Sequence, residues 1–333
     1  MPAEPTVLTV ILNWRTPDMT LRAVAAAEVA MAGIKGAITV VDNDSRDGSF
    51  ETLSAALLGH DRVRLVQAGR NGGFGAGNNV GIRLGLPEGA RPTFIYVLNS
   101  DAFPNADAIS ALVKYLERHP RVGLAGSLIF GTDGETHRTS FRFPTIASEF
   151  EGTARFGPIS RLLSRWIVAL PEPEASGPVD WVAGASLMIR DEALRKIGLF
   201  DERFFLYFEE TDLCHRAKEA GWDTHFVRES RVLHIGSVST GMKAWARTPQ
   251  YWFDSRWRYF CKRGGRVHAL AATLANVAGG TIYRARLLVQ PNGGRDARHH
   301  LRDLLSHAAR SATSAIQPPD QAFEPKITSQ SAA

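Results

Sequence analysis

Residues 7–13 read VLTVILN and residues 37–42 read AITVVD. Both are continuous apolar, β-branched runs that end on a polar residue, Asn13 and Asp42. A strand with one wet face alternates apolar with polar side chains. A run without alternation suits a strand buried on both faces, as in a parallel sheet. The segment between them, from Met19 to Ala32, is rich in Ala, Leu and Val and is good helix material, with Thr16 or Asp18 placed to cap it. Strand, helix and strand within about 40 residues make a βαβ unit. Residues 62–66 and 93–98 offer further strands, the second ending at Asn99. These elements predict an α/β fold with a mostly parallel central sheet flanked by helices.

Farther along, residues 179–189 and 231–235 read as strands, and Thr211 to Ala220 as a short helix ended by Gly221. After Gly241 the pattern turns helical and basic. Arg256, Arg258, Lys262, Arg263 and Arg266 lie among aromatics, and a mostly apolar stretch from Val267 to Val289 holds Arg284 and Arg286. Two arginines make a membrane span there costly, whereas a helix lying in the interface would set them on phosphates. Packing on the catalytic domain or a homodimer contact accounts for the same stretch. From about Ser311 the composition predicts a disordered tail. The expected division is a catalytic domain over 1–240, a basic, partly apolar helical extension over 241–310 and a tail over 311–333.

The chain has 333 residues, 44% of them hydrophobic, enough to bury a large core. The net charge of +5 favours anionic partners such as nucleotides, nucleic acid or an acidic membrane surface, without choosing among them. Cys214 and Cys261 are the only cysteines and form no CxxC, which argues against a structural zinc site or a disulfide framework. Two free thiols fit a reducing compartment. The run at 7–12 is too short for a signal core or a membrane span, so a cytoplasmic location is expected.

In an open α/β sheet, ligands bind at the carboxyl ends of the strands. Here those ends carry Asn13-Trp14, Asp42-Asn43-Asp44-Ser45 and Asn99-Ser100-Asp101. A nucleotide diphosphate needs such a set: a carboxylate for base N–H or ribose hydroxyls, an aromatic to stack on the base, and a further carboxylate for a divalent ion between the phosphates. The Asp42 to Gly48 stretch is also readable as a mere turn with a helix cap. Residues 69–81, GRNGGFGAGNNVG, hold six glycines in 13 residues. They lack the GK[ST] of a P-loop and a convincing strand–helix frame for a dinucleotide fingerprint. Glycine there allows close approach of backbone to a ligand or strand, and Asn71, Asn78 and Asn79 offer directed hydrogen bonds. Residues 204–216 read FFLYFEETDLCHR. Glu209, Glu210 and Asp212 near a helix start are explained by the helix dipole or, equally, by a general base whose pKa a neighbouring carboxylate raises. His234 ends an apolar strand and gains interest only if Asp101 converges on the same edge.

Taken together, the pieces VLTVILNW, VVDNDSRDGS, GRNGGFGAGNNVGIR, IYVLNSDA, VDWVAGASLMIRDEAL, IGLFDERFFLYFEETDLCHRAKEAGW and VLHIGS, in that order, resemble the family 2 glycosyltransferases with the GT-A fold, particularly their rhamnosyltransferase-like branch. The resemblance implies an inverting transfer of a sugar from a nucleotide-diphosphate donor. It sets Trp14 beside the nucleobase and Asp42 on the base or ribose. Asn13, Asn71 and Asn78 line the same site, and Gly184 sits where the chain lines the donor sugar and acceptor cleft. Asn99-Ser100-Asp101 occupies the DxD position. Asp101 and His234 are implied to hold Mg²⁺ or Mn²⁺, and Glu209 and Glu210 stand where a carboxylate serves as catalytic base. The chain departs from the pattern at Asn99, which removes one anionic metal ligand, and at Glu210, which replaces an Asp.

The donor implied is dTDP-L-rhamnose, with a UDP-sugar as the alternative. The acceptor implied is a saccharide or lipid-linked saccharide of bacterial surface polysaccharide. The expected partners also include an anionic membrane surface and a second copy of the chain. Two other classes compete: an inactive module that binds nucleotide or glycan, kept open by Asn99, and a nucleic-acid binder. The second lacks a recognition motif, so nucleic acid is not expected as a partner.

Overall fold

The computed structural model describes residues 4–236, 245–289 and 297–313. The chain opens with β1 (Thr6–Asn13), α1 (Pro17–Ala30), β2 (Lys35–Asp42), α2 (Ser49–Ala56), β3 (Val63–Gln67), α3 (Gly73–Leu84) and β4 (Phe94–Asn99). It continues through β5 (Ala102–Pro104), α4 (Ala108–Arg118), β6 (Val122–Phe130), β7 (Ser140–Phe141), α5 (Ile146–Ala154) and α6 (Gly157–Leu162). Then come β8 (Gly177–Val179), β9 (Trp181–Val182), β10 (Ser186–Arg190), α7 (Asp191–Ile197), α8 (Glu209–Glu219) and β11 (Asp223–His234). Two helices close it, α9 (Gln250–Val289) and α10 (His300–Thr313).

The main sheet runs β3-β2-β1-β4-β10-β6-β11-β5, with β8 also paired to β11. Strands β3, β2, β1, β4, β6 and β11 share one direction, while β5, β8 and β10 oppose it. The absence of alternation in the apolar runs has the expected cause. Val7, Ile11, Tyr96 and Leu98 face one core with α1 and α4, and Leu8, Val10, Ile95 and Val97 face another with α3 and α8. Each strand residue finds apolar cover whichever side it points to.

Three expectations need correction. The glycine-rich stretch is not a loop without a frame: α3 begins at Gly73, directly after β3. Its glycines are the reason it can lie there. A Cβ on Gly77 would stand 2.4 Å from Leu12, and one on Gly81 2.7 Å from Val10, so the helix sits closer to β1 than any side chain allows. The strand expected over 179–189 is broken into β8, β9 and β10, because β9 leaves the main sheet to pair with β7. Finally, Thr16 occupies the N-cap position of α1 but caps nothing; its hydroxyl bonds Ser100 at 3.1 Å instead.

The extension takes the arrangement in which it packs on the catalytic domain. Gly265, at φ +73, breaks α9 into two arms. The second arm crosses α5 so closely that a Cβ on Gly279 would stand 2.3 Å from Thr153 Oγ1. The basic run that the sequence offers to outside anions is spent inside: Arg256 on Glu149, Arg258 on Asp201, Lys262 on Asp201 and Asp212, Arg263 on Asp212 and Glu219. Helix α10 carries the structured chain past Ser311 to Thr313; the rest of the expected tail lies outside the described residues.

Candidate active site

The polar ends of β1, β2 and β4 lie side by side, as their parallel pairing requires, with Asn13 opposite Asp42 and Leu12 opposite Asn99. Asn13 and Asp42 are both fully buried and bond each other at 2.6 Å. Asp42 also accepts from the Ser45 hydroxyl at 2.5 Å and the Ser45 N–H at 3.1 Å. The Asn13 amide oxygen accepts from Thr20 at 2.8 Å. These two residues brace the loops, and Ser45, to which the sequence reading assigned no role of its own beyond its place at the strand end, is the third member of the brace. It lies three residues after Asp42, so the aspartate reaches both its N–H and its hydroxyl within one short loop. Arg15, Asp44 and Arg46 in these loops hold left-handed backbone, with φ of 58°, 59° and 52°. Non-glycine residues adopt that conformation rarely, and such strain gathers at functional sites. Trp14 is half-buried beside them, with the Arg15 guanidinium 5.1 Å from its ring.

The glycine-rich segment joins this edge through Asn71, whose side-chain oxygen accepts from Asn43 at 2.9 Å and from the Gly73 N–H at 3.1 Å. Asn78 turns its amide back on its own helix, to the Phe74 carbonyl at 2.9 Å, and Asn79 grips the Phe200 backbone in both directions. Asn79 is thus a fastener between α3 and the chain leading to α8.

Asp101 and His234 do converge. Strand β11 pairs His234 with Ala102, and His234 Nε2 lies 3.0 Å from Asp101 Oδ1 and 3.4 Å from the Asn99 amide. Among the described residues no group of three or more His, Cys, Asp and Glu side chains gathers as a metal cage. A carboxylate and an imidazole aimed at one point, with an amide beside them, nonetheless form a donor pair that suits a divalent ion completing its shell with phosphate and water oxygens.

Next along the edge, Gly184 stands one residue before Ala185, whose carbonyl accepts the Asn99 N–H at 3.1 Å. A Cβ on Gly184 would meet the Phe74 ring at 3.4 Å and Glu210 Cβ at 3.8 Å. Glu209, on the other side of the helix start, lies against Gly75 and is 3% exposed. Burial pushes the Glu209 carboxyl well above the usual carboxylate range, and the neighbouring Glu210 charge adds to it. Burial also raises Glu210, but backbone N–H groups of Glu210, Gly184 and Thr211 stabilise its anion and hold the rise back. One oxygen of each, Oε2, is buried with no hydrogen-bond partner. The residues before them, Tyr207 and Phe208, are left-handed at φ 70° and 69°, a costly conformation for aromatics that turns the chain sharply into α8. Rings of the extension back this turn, Tyr251 against Phe205 and Tyr207, and Trp252 and Tyr259 against Phe208.

The third acid of the cluster, Asp212, points away from this pair. It is fully buried and bound by Arg216 at 2.8 Å and Lys262 at 2.7 Å, so it fastens the extension. Its spacing on the helix gives no sign of this, because Lys262 lies 50 residues farther along.

Comparison with known proteins gives the family and the fold. An N-acetylglucosaminyl-diphospho-decaprenol L-rhamnosyltransferase of Mycobacterium tuberculosis is 32% identical over 212 residues, covering 61% of this chain and 68% of its own. A low-salt glycan biosynthesis hexosyltransferase, Agl10, of Haloferax volcanii is 33% identical over 180 residues, covering 54% of this chain and 52% of its own. The solved mannosyltransferase PcManGT of Pyrobaculum calidifontis, in complex with GDP-Man and Mn²⁺, superimposes with a TM-score of 0.56 at 16% identity, covering 94% of this chain and 82% of its own. The family model described as glycosyltransferase like family 2 matches residues 5–260. The chain is therefore a hexosyltransferase-type enzyme on a GT-A scaffold and belongs to the family 2 glycosyltransferases, in their rhamnosyltransferase-like branch.

Proposed function

We propose that this enzyme transfers L-rhamnose from dTDP-L-rhamnose, with inversion, to a saccharide or lipid-linked saccharide acceptor in the synthesis of bacterial surface polysaccharide. The observation that carries the reading is the pair of buried Glu209 and half-buried Glu210 beside Gly184, on the same edge as Asp101 and His234. Trp14 stacks on the base, and the loops braced by Asn13, Asp42 and Ser45 receive the ribose. Asn71 and Asn78 shape the floor through the glycine-rich segment. Glu210, less buried than Glu209 and better supplied with N–H donors, takes the proton of the acceptor hydroxyl as it attacks the anomeric carbon from the face opposite the diphosphate. Burial favours the neutral form of Glu209, which limits the negative charge beside Glu210. Asp101 and His234, with Asn99 adjacent, would hold Mg²⁺ or Mn²⁺. Bound there, the ion supplies positive charge against the leaving diphosphate. The rhamnosyl donor and the lipid-linked acceptor are supported by the name of the mycobacterial relative.

The test is nucleotide release from a panel of dTDP- and UDP-sugars with Mn²⁺ and a saccharide acceptor, with the anomeric configuration of the product read by NMR. Release is expected to be fastest with dTDP-L-rhamnose and to be lost with EDTA and in Asp101→Ala. A preference for a UDP-sugar would replace the donor, a retained configuration would remove the single displacement, and nucleotide binding without release would favour an inactive binding module.

A further inference from the structure

Two stretches without a single acidic residue, 152–170 and 255–289, meet at one corner of the molecule. The second arm of α9 brings them together. Arg286 donates to the Arg155 carbonyl and lies 4.7 Å over the Phe156 ring, while Arg155 lies 4.7 Å over Tyr283. On the two stretches that run out from this contact large apolar side chains stand in water: Leu288 is 88% exposed and Val289 82% at the end of α9, Leu162 80% at the end of α6, and Phe156, in the contact itself, 36%. The same two stretches carry Arg161 and Arg284, both exposed, Arg165 against the Trp166 ring at 3.8 Å, and Arg286 on Phe156. Arg161, Arg165, Arg284 and Arg286 form no ion pair among the described residues, unlike the arginines of the first arm.

We propose that this corner seats the protein on an anionic lipid bilayer, with Phe156, Leu162, Leu288 and Val289 entering the acyl boundary and the four arginines on lipid phosphates. Apolar tips ringed by cations are the composition of an interfacial anchor. A protein partner would need a packed, shape-complementary patch, and side chains exposed to this extent have no groove walls around them. No helix of the described residues is long and apolar enough to cross a membrane, so the contact is peripheral. The surface is separate from the basic run at 256–263, whose charges face acids of the enzyme itself. It is independent of which sugar is transferred.

The experiment is co-sedimentation of the full chain with phosphatidylcholine vesicles, with and without phosphatidylglycerol, at low and high salt. The protein is expected to sediment only with the anionic vesicles and to be released by salt. The exposed double variants Arg161→Glu/Arg284→Glu and Leu288→Ser/Val289→Ser are each expected to lower vesicle affinity at least about tenfold. Arg118→Glu/Arg121→Glu, with the same change of net charge at the end of α4 and the turn after it, should bind as the wild type does. Failure of the wild type to bind anionic vesicles would overturn the proposal, as would equal losses in the two charge-reversed variants. So would a change in oligomeric state of the corner variants without lipid, which would make the corner a contact between copies. Nucleotide release with a soluble acceptor, unchanged in the corner variants, keeps this result separate from the proposed catalytic reading.

Discussion

Glu209 and Glu210 begin helix α8, and Asp212 follows two residues later on the same turn, with Asp201 just upstream. Glu209 is buried and Glu210 half-buried, and neither forms an ion pair among the described residues, so their carboxyls are pushed upward. Asp212 is as deeply buried as Glu209 but meets Arg216, Lys262 and Arg263. Burial alone would raise Asp201 too, yet the hydrogen bonds and charges of Arg258 and Lys262 hold it well below the usual range. The acids at and just before one helix start thus divide by whether a cation meets them. The lesson is that a buried carboxylate with a cation belongs to the architecture, and one without a cation is a candidate for proton chemistry.

The sharpest way to break this comparison is at the base. Glu210→Gln keeps the shape and the N–H contacts but cannot accept a proton, so kcat should fall by about 10²–10⁴, with donor affinity retained by calorimetry. In the wild type, activity should rise with pH through a Glu210 pKa above the ordinary 4.5, since the base works only when ionised. Loss of kcat confined to Glu209→Gln would assign the base to the neighbour instead.

A second, smaller effect lies on the architectural side. Asp212→Asn leaves Lys262 and Arg216 facing a neutral group in a closed site, and losing one partner of a buried pair costs about 3–5 kcal/mol. Chemical denaturation should show that loss, while kcat per folded molecule stays near wild type. A large fall in kcat with stability intact would place Asp212 in the chemistry and erase the distinction.

The smallest effect concerns Glu209→Gln. A carboxyl whose folded pKa is raised gives stability below its unfolded value that is lost as pH rises through the folded value. The variant removes that loss, so it should melt like the wild type near pH 4.5 and increasingly above it at higher pH. Parallel melting curves across the range would mean that the Glu209 charge is solvated.

The strand ends were legible in the sequence because two-sided burial removes alternation, and the polar residue that closes each run marks the sheet edge. The convergence of Asp101 with His234 was left conditional by the residues and implied only by the resemblance; the pairing of β11 with β5 produces it. Helix α3 was hidden because glycine is a poor helix former; only the close approach to Leu12 and Val10 explains its presence. The fate of the basic run was hidden for another reason. Arg256 and Glu149 are 107 residues apart, and a pairing of that range leaves no local period to read.

The clasp between α9 and the sheet domain has a consequence for how the molecule comes apart. Arg256 is 1% exposed on Glu149, and Lys262 joins Asp201 to Asp212. A chain cut before the first arm of α9 would keep all three acids in place and remove Arg256, Arg258, Lys262 and Arg263, leaving Glu149 without its arginine and Asp201 and Asp212 with only Arg203 and Arg216. The extension therefore cannot melt first and leave an intact enzyme behind; denaturant should find one cooperative transition, with a slope that reflects the surface of both parts together.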